Sequence, residues 1–205
     1  MKKEMSLSCV KCRAKPCVEG RLEALPSFCP MRHLEDLLKH VEELYRDSEA
    51  VKLAGAATRV ALKGGYAWPR VREFAELAKE LGAKKVGLAF CAGLSDEAEK
   101  IASLLEEWGF KVYSVCCKCG SLSGFFAKLD PSVILCNPIA QAELLNQAGT
   151  ELNAIIGLCM GHDALFAKYS KAPAVTLIAK DRVTGHSPAV ALYTYYHRRL
   201  LQPST

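Results

Sequence analysis

Four apolar runs, GLAFC, VYSVCC, VILC and IIGLC, end in cysteine, and no other feature restricts fold and chemistry as strongly. Short continuous apolar runs bounded by turn residues are what a parallel sheet buried on both faces requires. Five such segments, KKVGLAF, FKVYSV, SVIL, LNAIIGL and PAVTLIA, are expected to be strands. They are separated by segments with helical spacing, of which SDEAEKIASLLEEWG is the clearest. Ser95 is its expected N-cap, two acids follow in the first turn, and Ile101, Leu104, Leu105 and Trp108 make one apolar stripe. NPIAQAELLNQAG and GHDALFAKYS fill later gaps, and SPAVALYTYYHRRL is expected to form a terminal helix. This alternation predicts an α/β chain: a three-layer Rossmann-like domain with a mostly parallel five-stranded sheet.

Ahead of the first strand the periodicity is helical from residue 31 to about residue 82. Leu34, Leu37, Leu38, Val41 and Leu44 recur at spacings of three and four, and the pattern continues through SEAVKLAGAATRVAL and PRVREFAELAKEL. Three helices therefore precede the sheet, broken at Gly64 and Gly65 and closed at Gly82. The expected organisation is a cysteine-rich metal-binding arm over residues 1–30, followed by one compact unit over residues 31–205.

In an open parallel sheet, ligands bind outside the carboxyl ends of the strands. Cys91, Cys116 or Cys117, Cys136 and Cys159 all fall at that edge, and successive strand–helix units account for their distance in sequence. Adjacent residues of an extended strand point to opposite sides, so one of Cys116 and Cys117 faces the edge; Cys117 is taken as that residue. Cys119, in the following turn, is a further candidate ligand. Cys91, Cys136 and Cys159 also precede helix starts, where partial positive charge favours the thiolate, the form that binds metals and attacks electrophiles. The plainer reading of any single cysteine is a small buried apolar residue.

A second set, Cys9, Cys12, Cys17 and Cys29, is spaced C-x2-C-x4-C-x11-C-P. Zinc ribbons carry two C-x2-C pairs, whereas short gaps, a distant fourth cysteine and a following proline are closer to iron–sulfur ligand runs. An iron–sulfur cluster, 4Fe-4S by ligand count, is the expected cofactor, with zinc the alternative. The arm has little apolar material, so metal binding is expected to order it.

His162 and Asp163 follow Cys159 in LCMGHD, and His186 follows the last strand in AKDRVTGH, so these three are the candidate acid, base or anion-binding groups. Asp163 competes for the role of helix cap, and Lys180, Asp181 and Arg182 read as a solvated charge run. No G-x-G-x-x-G follows the first strand and no phosphate-binding G-x-x-x-x-G-K-S/T occurs, so nucleotide cofactors are not indicated. Cys116 and Cys119 form a C-x-x-C, the arrangement of a metal-free thiol–disulfide oxidoreductase.

Composition supports the metal reading. The 205 residues are 50% hydrophobic and 24% charged, a globular balance, and no apolar stretch approaches the roughly 18 residues of a membrane span. No secretory signal pattern opens the sequence, so a cytoplasmic location is expected. Ten cysteines in that reducing compartment point to metal or redox chemistry rather than disulfides. The net charge of +5 is modest; Lys2, Lys3, Lys11, Arg13, Lys15 and Arg21 give the arm a basic bias, and nucleic acid is not an expected partner.

The segments CNPIAQAELLNQAGTELN, GLCMGHDALFAKYSKAP and KDRVTGHSPAVALY, with the amino-terminal C-x2-C-x4-C and later CPM, resemble an uncharacterised family of cysteine-rich proteins ascribed metal binding, domain of unknown function 1847. The resemblance covers nearly the whole chain. It implies metal-binding roles for Cys9, Cys12, Cys17, Cys29, Cys91, Cys136 and Cys159, and a family drawn from anaerobic bacteria and archaea implies iron–sulfur over zinc. The resulting expectation is an iron–sulfur protein whose arm cluster faces a thiolate-lined pocket at the sheet edge, with redox or sulfur-handling chemistry. Its expected partners are a redox protein or a small sulfur- or metal-containing substrate; a homo-oligomer is compatible with it. A zinc-binding structural or regulatory module is the competing reading.

Overall fold

A computed structural model of the chain describes residues 7–33, 35–46, 48–65 and 67–202; Lys2, Lys3 and Leu34 lie outside them. The chain divides into two compact units, Met1–Gly55 and Ala56–Thr205.

The first unit opens with short 3-10 turns at Cys9–Lys11, Pro16–Glu19, Leu22–Ala24 and Pro30–His33. Its first α-helix, α1, is Glu35–Tyr45. Local bonds such as Cys12 N–H to Cys9 O and Cys29 N–H to Pro26 O carry the turns, and Pro16, Leu25 and Cys29 are the buried residues among them. Helix α2, Ser48–Gly64, spans the division between the units.

In the second unit α3, Arg70–Leu81, ends at Gly82 in the left-handed conformation, and four parallel strands follow. They are β1 (Lys85–Phe90), β2 (Lys111–Cys116), β3 (Leu152–Ile156) and β4 (Ala174–Ile178), in the order β2-β1-β3-β4. The strands β1 and β3 lie side by side at the centre. Val86, Leu88, Ala89, Leu152, Ala154 and Ile156 are fully buried, as their unbroken apolar composition requires. From β1 the chain moves outward to β2, then returns past β1 to β3, so the strand order reverses between β1 and β3. Helix α4 (Ser95–Glu107) links β1 to β2, α5 (Pro138–Ala148) precedes β3, and α6 (His162–Tyr169) links β3 to β4. Helices α5 and α6 pack on each other, and α4 packs on β1 and β2.

Three expectations need correction. The sheet has four strands among the described residues, not five: SVIL is not a strand. Pro131 and Pro138 confine it, and its polar backbone closes a loop instead, through Gly124 N–H to Val133 O and Leu135 N–H to Leu122 O. Val133 and Ile134 are accordingly exposed. Ser95 does not cap α4; it is the first helical residue, and its hydroxyl donates back to Ala92 O. The expected terminal helix is two short ones, α7 (Val190–Tyr193) and α8 (Tyr195–Arg198), separated where Thr194 is extended.

Candidate metal centre

Ladder hydrogen bonds continue one residue past the strands and carry sulfur to the carboxyl edge. Cys117 N–H donates to Phe90 O at 2.8 Å and Cys91 N–H to Ile156 O at 3.0 Å, which sets the ends of β2, β1 and β3 side by side. Cys136 arrives by another route. Its loop returns to the sheet through Asn137 N–H donating to Cys117 O, after which Asn137 caps α5 by accepting from Ala140 N–H. Beyond β3, Gly157 has φ of 61°, and a Cβ there would come within 2.6 Å of Leu94 Cδ2, so glycine makes the turn toward Cys159 without displacing that leucine. The Cys159 carbonyl then accepts from the amides of His162 and Asp163, which places the imidazole beside the thiol.

Cys136, Cys159 and His162 each offer a ligand atom, and the three lie within 4.8 Å of one another. All three residues are half-buried. The His162 Nδ1 atom is buried and has no hydrogen-bond partner. A buried imidazole nitrogen without a partner costs free energy that a cation or a proton-donating ligand would remove.

Around this triad the thiols of Cys91 and Cys117 are shifted in opposite directions. Burial pushes the Cys91 thiol up, but hydrogen bonds from the Lys180 ammonium and the Gly93 amide, with the lysine's charge, outweigh it and bring the thiol below its ordinary range. Lys180 Nζ lies 2.6 Å from Cys91 Sγ and 3.2 Å from Cys159 Sγ. Lys180 is itself partly desolvated, and the two sulfurs overcome that to hold its pKa above normal. Cys117 behaves oppositely. Burial, with the sulfurs of Cys136 and Cys91 nearby, pushes its thiol up to about 12 although the Ala92 amide donates to it at 3.3 Å.

The other predicted residues fall elsewhere. Cys119 faces the Asn137 carbonyl at 3.8 Å; burial and the neighbouring Cys116 raise its pKa. Asp163 caps local backbone, accepting from Gly161 and Ala164 amides. His186 Nδ1 accepts from Asp181 N–H, within a loop after β4. Cys9 and Cys17 are exposed, Cys12 is half-buried and Cys29 is buried, all in the first unit. All ten cysteines are free thiols. Lys180, read from sequence as part of a charge run, is the residue that reasoning missed. It lies just beyond β4 at the same carboxyl edge, so the rule that located the cysteines also locates the lysine.

The family described as "Protein of unknown function (DUF1847)" matches residues 29–177, a span that holds Cys91, Cys117, Cys136, Cys159 and His162. The chain belongs to that family. An uncharacterized protein of Methanocaldococcus jannaschii is 41% identical over 202 residues, covering 96% of this chain and 99% of the relative. No solved structure matches the chain. The DUF1847 span excludes Cys9, Cys12 and Cys17, while the M. jannaschii relative aligns with nearly the full length.

Proposed function

We propose that this DUF1847 chain is a metal-binding protein that holds one soft cation at the carboxyl edge of its sheet. Cys136, Cys159 and His162 are the primary ligands, and Cys117, whose sulfur neighbours that of Cys136, is the fourth donor. The observation that carries this reading is the approach of the three ligand atoms to within 4.8 Å of one another. Ligands at about 2.0–2.3 Å from one tetrahedral ion are separated by distances of that order, and thiolate with imidazole suits zinc or iron. The unpartnered His162 Nδ1 and the ammonium of Lys180 fit the same account: one atom needs a partner, and the other offsets negative charge on Cys91 and Cys159.

The site straddles the point between β1 and β3 where the strand order reverses, which is where open α/β sheets bind ligands. Right-handed crossovers through α4 and then, in the opposite direction, through α5 put these helices on opposite faces, the basis for a three-layer Rossmann-like reading.

The arm set Cys9, Cys12, Cys17 and Cys29 is proposed to hold an iron–sulfur cluster, a role supported by ligand number and spacing. A four-iron cluster separates its four thiolates more widely than a single ion does, so the two sets suit different centres. The metal would supply electron transfer at the arm and Lewis-acid or sulfur-binding capacity at the sheet. Redox or sulfur-handling chemistry follows, with a redox protein or small sulfur compound as partner. Thiol exchange at Cys116 and Cys119 is the second reading, resting on their C-x-x-C spacing. Among the described residues no helix is long and apolar enough to cross a membrane.

The test is anaerobic purification with iron, zinc and acid-labile sulfide quantified, alongside the visible spectrum. Two variants accompany the wild type: Cys9→Ser with Cys12→Ser, and Cys159→Ser. Sulfide and visible absorption should disappear from the arm variant alone, while the Cys159 variant loses about one ion per chain. A metal-free wild-type chain would end the metal reading. Activity that depends on Cys116 or Cys119 but not on metal would replace it with thiol exchange.

A further inference from the structure

Beside the metal centre, along the free edge of β4, lies an open cleft of about 540 Å³. That volume is within the roughly 300–1,000 Å³ of small-molecule sites. Its floor is apolar, from Leu177, Ile178 and Ala179, and its polar side chains include Arg70 and His186; among the described residues no carboxylate lines it.

Both polar groups are held in place by other bonds. Arg70, the first residue of α3, donates from Nε to Thr176 O at 2.8 Å, which lays the guanidinium along the strand edge. Among the described residues no ion pair is found for Arg70. Its Nη groups carry four further N–H donors. On the other side, Asp181 closes a loop by accepting Val183 and Thr184 amides on Oδ1 and the His186 amide on its carbonyl. Asp181 N–H in turn donates to His186 Nδ1 at 3.1 Å. An imidazole nitrogen that accepts a hydrogen bond carries no proton, so the proton of the neutral ring is on Nε2. His186 also takes a φ of 66°, uncommon outside glycine, which the reciprocal bonds with Asp181 maintain.

We propose that this cleft binds a small molecule bearing an oxyanion, a carboxylate or a phosphate, between the Arg70 guanidinium and His186 Nε2–H, with an apolar body against Leu177, Ile178 and Ala179. Arginine's planar fork suits two oxygens of one anion, and the single imidazole donor takes a third contact or a shared oxygen. Ala179 is followed directly by Lys180, whose ammonium touches Cys91 and Cys159, so such a ligand lies next to the proposed metal centre. The binding step itself uses no metal ligand and stands apart from that reading.

The experiment titrates the full chain with inorganic phosphate and, separately, with butanoate at constant ionic strength, following the His186 imidazole resonances by nitrogen-15 NMR. His186→Asn assigns those signals, because asparagine tolerates positive φ. Each titration is run on protein as purified and after metal removal with a chelator. A saturable shift of the His186 signals in both preparations, weakened about tenfold or more in Arg70→Gln and partly restored in Arg70→Lys, is the expected result. The anion that saturates at lower concentration identifies the carboxylate or phosphate class. Absence of saturation with both anions, or an unchanged response in Arg70→Gln with an unaltered thermal melt, would overturn the proposal. If binding persists while the chain proves metal-free, only the metal reading fails.

Discussion

Lys180 Nζ donates to Cys91 Sγ across 2.6 Å, joining the second residue past β4 to the first residue past β1. Because β3 lies between those strands, the pair spans the centre of the sheet edge, and the same ammonium reaches Cys159 beyond β3. Lysine is a compact charge with three donors, so it can serve two sulfurs at once.

Replacing Lys180 with Met should therefore make Cys91 less reactive. The native thiol is held below its ordinary range, so its thiolate is present at lower pH; without the ammonium, burial acts unopposed by that charge and the reactive limb moves to higher pH. At neutral pH, alkylation of Cys91 by a small reagent should slow several-fold, because less of the sulfur is present as the reactive thiolate. Peptide mass spectrometry against time measures it. Equal rates in the two proteins would show that Lys180 does not control this sulfur.

His162 should matter to metal affinity more than to folding. Its ring is only half-buried, and its Nδ1 has no hydrogen bond to lose. His162→Ala is expected to weaken binding at the sheet-edge site by at least the roughly 10–100-fold seen when outer-sphere partners are removed, with little change in unfolding midpoint. Competition with a chromophoric chelator reads the affinity, and Cys117→Ser should show a comparable loss. If His162→Ala binds as tightly as the wild type, the imidazole is not a ligand.

The carboxyl-edge placement of Cys91, Cys117 and Cys159 was legible because period and run length locate buried parallel strands, and each thiol follows its strand directly or within a short turn. Cys136 shows where that logic stopped. VILC has strand composition, but its backbone pairs with residues 122–124, and only the Asn137 bond to Cys117 O brings the thiol to the edge. No local pattern encodes such a return. Lys180 was obscured for a different reason: beside Asp181 and Arg182 it reads as solvated charge, and its sulfur partners are far away in sequence. Composition is equally silent about Gly87. It pairs with Asn153 in the β1–β3 register, and a Cβ there would lie 2.1 Å from Asn153 Oδ1.

Gln141 links α5 to the site from beneath. It is fully buried, and Nε2 donates to Val115 O at 2.7 Å and Phe90 O at 3.2 Å, the carbonyls just before the cysteine-bearing ends of β2 and β1. Phe90 O retains a second donor in Cys117 N–H. Gln141→Leu should leave Val115 O short of that bond and lower stability by about 1–3 kcal/mol, the cost of an unsatisfied buried group. A denaturant titration measures the loss. Reduced metal affinity in the same variant would show that the glutamine also positions Cys91 and Cys117.

Acid sensitivity should have an identifiable contribution from Glu151. Its Oε2 accepts from the backbone amides of Lys84 and Lys85 at 2.7 and 2.8 Å, tying the start of β1 to the residue before β3. Those two N–H groups, with the nearby lysine charges, hold the carboxyl below its usual range despite slight desolvation. A carboxylate depressed in the folded state contributes stability that is fully present above its unfolded pKa of about 4.3 and is lost as pH falls through the folded value. Glu151→Gln removes the charge at every pH while leaving a neutral acceptor. Its stability should therefore be lower than wild type near neutrality, and the difference should shrink as pH falls below the unfolded value. Because the group is largely solvent-exposed, the effect is small and declines with added salt. Thermal melts of both proteins from pH 7 down to pH 3 test this; parallel curves with a constant offset would assign the difference to something other than this carboxylate.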